Sequence, residues 1–154
     1  MSTDFHVLEV KDDDVNLNNL NKVWIDEMTE TDPDFKEDMD SHYVTSFNKI
    51  VSLVVFAGEK PIGFGIFLDS PKDKCVEILE LYLIKGFRYK GYGLKLLEKI
   101  EKFASDQKYL RVLINLVNFH DYVELILKDI GYQIIPTNEV TLNNDQMVVM
   151  EKII

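Results

Sequence analysis

Residues 81–97 read L-Y-L-I-K-G-F-R-Y-K-G-Y-G-L-K-L-L, and the reading of the whole chain turns on them. On their N-terminal side, C-V-E-I-L-E-L-Y-L (Cys75–Leu83) has the alternation of a strand. Beyond Gly93, Leu94, Leu97, Ile100 and Ala104 recur at three- and four-residue steps with charges between them, which is the pattern of an amphipathic helix. The junction holds Gly91 and Gly93, two of only seven glycines, among Phe87, Arg88, Tyr89, Lys90 and Tyr92. A strand that passes through a tight glycine loop into a helix is a generic anion site, because first-turn N–H groups lack intrahelical acceptors and lie at the positive end of the helix dipole. Arg88, Lys90 and Lys95 add positive charge there. The spacing R-x-x-G-x-G is neither the dinucleotide fingerprint nor a P-loop. Read alone, it is also compatible with a plain turn bearing solvent-facing basic side chains.

Working outward, Phe5–Val10 reads as a short strand. Asp12–Asp14 offers an N-terminal cap for a helix carrying Leu17, Leu20, Val23, Trp24 and Met28. A loop broken by Pro33 leads to a weaker helix ending near Phe47. Ile50–Ala57 and Ile62–Leu68 are strands joined by G-E-K-P, a hairpin signal, and Val76–Ile84 follows as a third strand after S-P-K-D-K. After the helix that opens at Gly93, Leu110–Val117 reads as a strand. Val123, Ile126, Leu127 and Ile130 then mark a helix closed by Gly131, and Tyr132–Ile135 and Met147–Ile153 are the last strands. The expected order is β-α-α-β-β-β-α-β-α-β-β, a mixed α/β sheet in one domain spanning 1–154.

The 46% apolar content, with one Trp, seven Tyr and nine Phe, suits a folded domain with a single core. No apolar run nears the ~20 residues of a bilayer span, so no membrane partner is expected, and the N-terminus lacks a signal-peptide pattern. The lone Cys75 cannot form an intrachain disulfide, which fits a reducing, cytoplasmic setting. His6, His42 and His120 are too scattered to make a metal cluster with it. A net charge of −10 argues against nucleic acid as a partner. The charge is uneven: from Asp26 to Ser41 eight acidic residues face Lys36 alone, whereas from Lys85 to Lys102 six basic residues face Glu98 and Glu101. That asymmetry suits a cation at one end and an anion at the other, although an acidic surplus also serves plain solubility.

The stretch 81–97 resembles the acetyl-coenzyme A binding motif of the GNAT superfamily of N-acetyltransferases. Arg88, Gly91 and Gly93 match its Arg/Gln, Gly and Gly/Ala positions, and the order of elements is similar along nearly the whole chain. The resemblance implies a mostly antiparallel central sheet flanked by about four helices. It implies that backbone N–H groups of Phe87–Gly93 cradle the diphosphate of acetyl-coenzyme A, and that the strand around Leu81 and Leu83 pairs its backbone with the pantetheine arm. The implied reaction is direct attack of a primary amine on the thioester, with no covalent enzyme intermediate. Similar proteins are frequently homodimers.

Two family positions depart from the pattern. The Tyr that can protonate the leaving thiolate, four residues before the closing Gly, is here Leu127. The Asn seven residues earlier is His120, with Asn118 offset by two. Tyr122 and His120 are the alternative acids on the same helix, the second also a cofactor contact. For the general base, a carboxylate acting through water is a usual solution, and Glu77 and Glu80 are the candidates. Glu77 has the offset from Arg88 of the catalytic glutamate in histone-type members, and an acidic residue at Glu80 resembles the polyamine-acetylating ones. Strict alternation puts Glu77 on the face of Leu79, Leu81 and Leu83, and Glu80 on the opposite face with Tyr82. The family's acceptor segment is here D-E-M-T-E-T-D-P-D-F-K-E-D-M-D, whose Glu27, Glu30, Asp32 and Asp34 suit a small cationic amine: a polyamine, diamine, aminoglycoside or amino-acid-like acceptor. Trp24 and Phe35 are candidate apolar walls. The competing readings are a coenzyme A-binding protein with weakened catalysis, motivated by Leu127, and an enzyme acting on a protein amine.

Overall fold

In the computed structural model the described residues are 4–31, 33, 49–116, 121–135 and 148–154, with the backbone alone at 31, 121 and 122. The elements are β1 (Phe5–Val10), α1 (Val15–Thr31), β2 (Lys49–Ala57), β3 (Lys60–Ser70), β4 (Cys75–Leu83), a 3-10 turn (Lys85–Phe87), α2 (Tyr92–Asp106), β5 (Arg111–Leu116), α3 (Asp121–Asp129), β6 (Gln133–Ile135) and β7 (Val148–Ile153). The mixed α/β class and the strand order match the expectation. The second early helix, expected before Phe47, lies outside the described residues.

Local chemistry explains the boundaries. The Asp14 side chain accepts from the Leu17 amide at 2.9 Å, capping α1 within the acidic triplet. The hairpin between β2 and β3 closes at Gly58, whose φ of 63° is the left-handed conformation such turns need. Gly131, at φ 106°, ends α3, where the Tyr132 amide donates back to the Leu127 carbonyl at 2.9 Å.

The seven strands form one sheet in the order β1-β2-β3-β4-β5-β7-β6. All pairings are antiparallel except β4 with β5, and α2 supplies the crossover that this parallel pair requires. Each face of the sheet buries its own core. Leu96, Leu97, Ile100 and Ala104 of α2, with Leu127 of α3, pack against Val76, Ile78, Val112, Ile114 and Met150. On the other face Leu17, Leu20 and Trp24 of α1 pack against Val54, Phe64 and Tyr82. Trp24 meets Phe64 edge-on at 5.6 Å between ring centroids.

Two irregularities interrupt β4. Against β3, Glu80 is opposite Ile66 but Ile78 is opposite Phe67, which leaves Leu79 unpaired as a β-bulge. Against β5, the ladder runs from Cys75–Arg111 to Ile78–Ile114 and stops, although both strands continue. The strands therefore part at the bulge.

Candidate active site

The parting of β4 from β5 opens an apolar cavity of about 50 Å³ lined by Ile78, Leu79, Glu80 and Leu81, by Ile114, Asn115 and Leu116, and by Val123 and Leu127 of α3. Among the described residues, Glu80 is the one titratable residue that lines it. It is partly buried, and no described residue hydrogen-bonds or ion-pairs with it. Desolvation of the carboxyl pushes its pKa up to about 8.

The bulge corrects the expected placement of Glu77, while Glu80 stands with Tyr82 as expected. Cross-strand partners share a face, and Glu77 and Glu80 stand opposite Leu68 and Ile66, two residues apart on β3. Both therefore face the α1 side with Tyr82, while Leu81 and Leu83 pack under α2 on the other. Strict alternation fails because Leu79 is an extra residue between them. Glu77 accepts a hydrogen bond from the Asn115 side-chain amide at 2.5 Å. Asn115 is a site residue that sequence reading missed. Its only signal is that it is the one uncharged polar side chain in R-V-L-I-N-L.

Beyond β4 the chain enters the glycine loop. Tyr89 and Gly91 adopt φ of 62° and 86°, bending the backbone twice in three residues just before α2. Gly91 is the N-terminal cap of α2, and a Cβ there would meet only open space. Among the described residues, no backbone carbonyl accepts from the N–H groups of Lys90, Gly91, Tyr92, Gly93 or Leu94. This is a row of free donors at the positive end of a helix, the chemistry of an anion site. Positive charge gathers around it. Lys60 and Lys90 lie 5.2 and 5.8 Å from the Phe87 ring centroid, and Lys95 lies 5.5 and 5.7 Å from those of Phe5 and Tyr92. Lys60, from β3, was not foreseen.

Arg88 takes a different course from the other loop residues. Its Nε donates to the Leu83 carbonyl at 2.8 Å, its Nη2 reaches the two Glu27 oxygens at 2.8 and 2.9 Å, and its guanidinium lies 5.4 Å from the Tyr82 ring centroid. Tyr82 also donates to Glu27, at 2.6 Å. Burial alone would raise the Glu27 pKa, but the hydrogen bonds from Tyr82 and Arg88 hold it below the usual carboxylate value. Burial and the bond to Glu27 together push the Tyr82 hydroxyl up.

Glu27 belongs to a second, open groove of about 380 Å³ between α1 and the end of β4, lined by Val23, Asp26, Glu27, Glu30, Tyr82, Ile84 and Lys85. The structure thus brings Glu27 and Glu30 together. Asp32, Asp34, Phe35, Asn118 and His120 lie outside the described residues, as does the side chain of Tyr122. Trp24 packs in the α1 core and does not line the groove. Leu127 lines the cavity and offers no proton. Cys75 is buried at the paired end of β4, and desolvation raises its thiol pKa, so it is a poor nucleophile.

Among the described residues there is no group of His, Cys, Asp and Glu able to hold a metal ion, and no helix is long and apolar enough to cross a membrane. No curated protein matches the chain by sequence. Solved structures do match it in fold. A Bacillus subtilis acetyltransferase in complex with CoA aligns with a TM-score of 0.68 at 16% identity, over 98% of this chain and 99% of that one. PaiA N-acetyltransferase from Thermoplasma acidophilum, in complex with coenzyme A, aligns at 0.65 and 19% identity over 98% and 99%. A GNAT family acetyltransferase from Elizabethkingia anophelis with acetyl-CoA bound aligns at 0.69 and 14% over 97% and 98%. The sequence profile of the Acetyltransferase (GNAT) family matches residues 17–145, most of the chain, and the chain therefore belongs to that family of acyltransferases.

Proposed function

We propose that the chain transfers acetyl from acetyl-coenzyme A to a primary amine by direct attack, with Glu80 as general base and a small cationic amine as acceptor. The observation that carries this reading is the parting of β4 from β5 at Leu79, which opens a cavity along the strand that leads into the glycine loop, with Glu80 as the one titratable residue among its described lining. Acetyl-coenzyme A supplies the activated thioester. Its diphosphate fits the free N–H groups of Lys90–Leu94, and its pantetheine arm fits the edge of β4 that β5 leaves unpaired beyond Ile78.

The acceptor arrives as an ammonium and must lose a proton before its nitrogen can attack. A carboxyl with a pKa near 8 is matched to that transfer at neutral to mildly alkaline pH. The nitrogen lone pair then forms the C–N bond, the C–S bond breaks, coenzyme A leaves with the sulfur electrons, and the second proton of the nitrogen passes to the thiolate or to water as the amide forms. With Leu127 in place of a hydroxyl, the thiolate leaves unassisted or takes the proton that Glu80 collected. Glu77, held by Asn115, supports the same face of the strand. The acceptor enters by the groove between α1 and β4, whose Asp26 and Glu30 are exposed and favour a cation.

Free thiol release with acetyl-coenzyme A and a panel of polyamines, diamines, aminoglycosides and amino-acid amines tests the reading. Turnover with at least one of them is expected. Tight binding of acetyl-coenzyme A with no turnover on any amine, or on basic peptides, favours instead a coenzyme A-binding protein with lost catalysis, the reading that Leu127 motivates.

A further inference from the structure

Arg88 matches the cofactor motif in sequence, yet its side chain is spent elsewhere. Two of its three nitrogens are engaged by Glu27 and the Leu83 carbonyl, and its plane rests near Tyr82, which packs in the α1 core. The free N–H groups belong to the start of α2, which packs on the opposite face of the sheet. For the guanidinium to serve a phosphate it would have to abandon a carboxylate, a carbonyl and an aromatic ring, leaving half-buried Glu27 with the Tyr82 hydroxyl and the charge of Lys85. Its backbone, by contrast, lies between the 3-10 turn and Gly91, within the loop itself.

We propose that Arg88 is a positioning residue for the acceptor side: it fixes Glu27 and Tyr82 in the wall of the α1–β4 groove and couples that wall to the cofactor loop. The inference rests on the cofactor and acceptor sites proposed above. A ligand that orders the loop orders α1 through the Arg88–Glu27 bond, and by reciprocity an acceptor that orders α1 strengthens cofactor binding. The two side chains act as one device, so removing either breaks the same link.

The test is amide hydrogen exchange across Val15–Thr31 in the full chain, with and without coenzyme A, combined with calorimetry of coenzyme A at two ionic strengths. Wild type is compared with Arg88→Ala, the isosteric Glu27→Gln and the double variant. In the wild type, coenzyme A is expected to slow exchange in α1 by about threefold or more. All three variants should bind coenzyme A within about threefold of wild type and with the same salt dependence, but α1 should no longer respond. Without ligand, α1 should exchange faster in both single variants and no faster in the double. A loss of coenzyme A affinity of about tenfold in Arg88→Ala alone, with a shallower salt dependence, makes Arg88 a phosphate ligand and overturns the proposal. So does slowing of α1 that survives in the variants. If coenzyme A does not bind the wild type, the cofactor reading fails. The ligand-free exchange then decides the brace: equal acceleration in the variants supports it, and unchanged rates overturn it.

Discussion

Glu77 and Glu80 stand on one face of β4 although they are three residues apart, because Leu79 drops out of the ladder between them. Of the two, only Glu80 lines the cavity where β4 leaves β5; Glu77 is tied to Asn115. The two carboxylates therefore have different environments and separable roles.

Removing the proposed base should show this directly. Glu80→Gln is expected to lower kcat by about 10²–10⁴-fold, the usual range for a positioned general base, with little change in KM for acetyl-coenzyme A. Glu77→Gln keeps an oxygen for the Asn115 amide and should stay within about tenfold of wild type. Steady-state thiol release with both variants checks the order.

The pH dependence comes from the same carboxyl. With a pKa of about 8, kcat/KM should rise with pH through about 8, and this limb should vanish in Glu80→Gln. Stability should run the other way. The folded protein holds the Glu80 proton to about 8, whereas the unfolded chain releases it near 4.5, so between these values the folded state binds more protons. Stability therefore falls as pH rises from about 4.5 toward 8, and Glu80→Gln should melt higher than wild type at pH 9 while matching it at pH 4.

Gly91 separates the cradle from the fold. Its φ of 86° disfavours any side chain, at a cost of about 1–2 kcal/mol, but a Cβ there meets open space. Gly91→Asp should therefore remain folded, with Tm lower by a few degrees. Its Kd for coenzyme A should rise at least tenfold, since the new carboxylate faces the anion site. Thermal melting and calorimetry on the same preparation distinguish the two effects.

Tyr132 is 1% exposed in the core, and its hydroxyl has no partner among the described residues. Such a group carries a desolvation cost that its removal relieves. Tyr132→Phe should be neutral or stabilising by up to about 1 kcal/mol, read as an unchanged or higher urea midpoint.

Much of this architecture was legible in the sequence because it is written in periodicity. The change from period two to three- and four-residue steps across Gly91–Gly93 placed β4, the loop and α2, and the acidic triplet ending at Asp14 placed the start of α1. What was not legible depends on pairing. Alternation assumes that every residue of a strand has a partner, so the bulge at Leu79 moved Glu77 from its expected face to that of Glu80 and Tyr82, where Glu80 was expected. One hint was present: each glutamate is flanked by apolar residues, and the doublet Ile78-Leu79 between them is one residue too many for a shared face. The Arg88–Glu27 bond spans 61 positions, and no local pattern announces it. Asn115 acquires its role only when β5 lies beside β4.

The most direct measurement is acetyl transfer itself: thiol release and amide formation with acetyl-coenzyme A and the amine panel, for wild type and Glu80→Gln in parallel. The expected result is stoichiometric thiol and acetylated amine from wild type, and a loss of 10²-fold or more, about 3 kcal/mol of barrier, in Glu80→Gln. Wild-type turnover that Glu80→Gln retains undiminished, or bound acetyl-coenzyme A that no amine discharges, would contradict it.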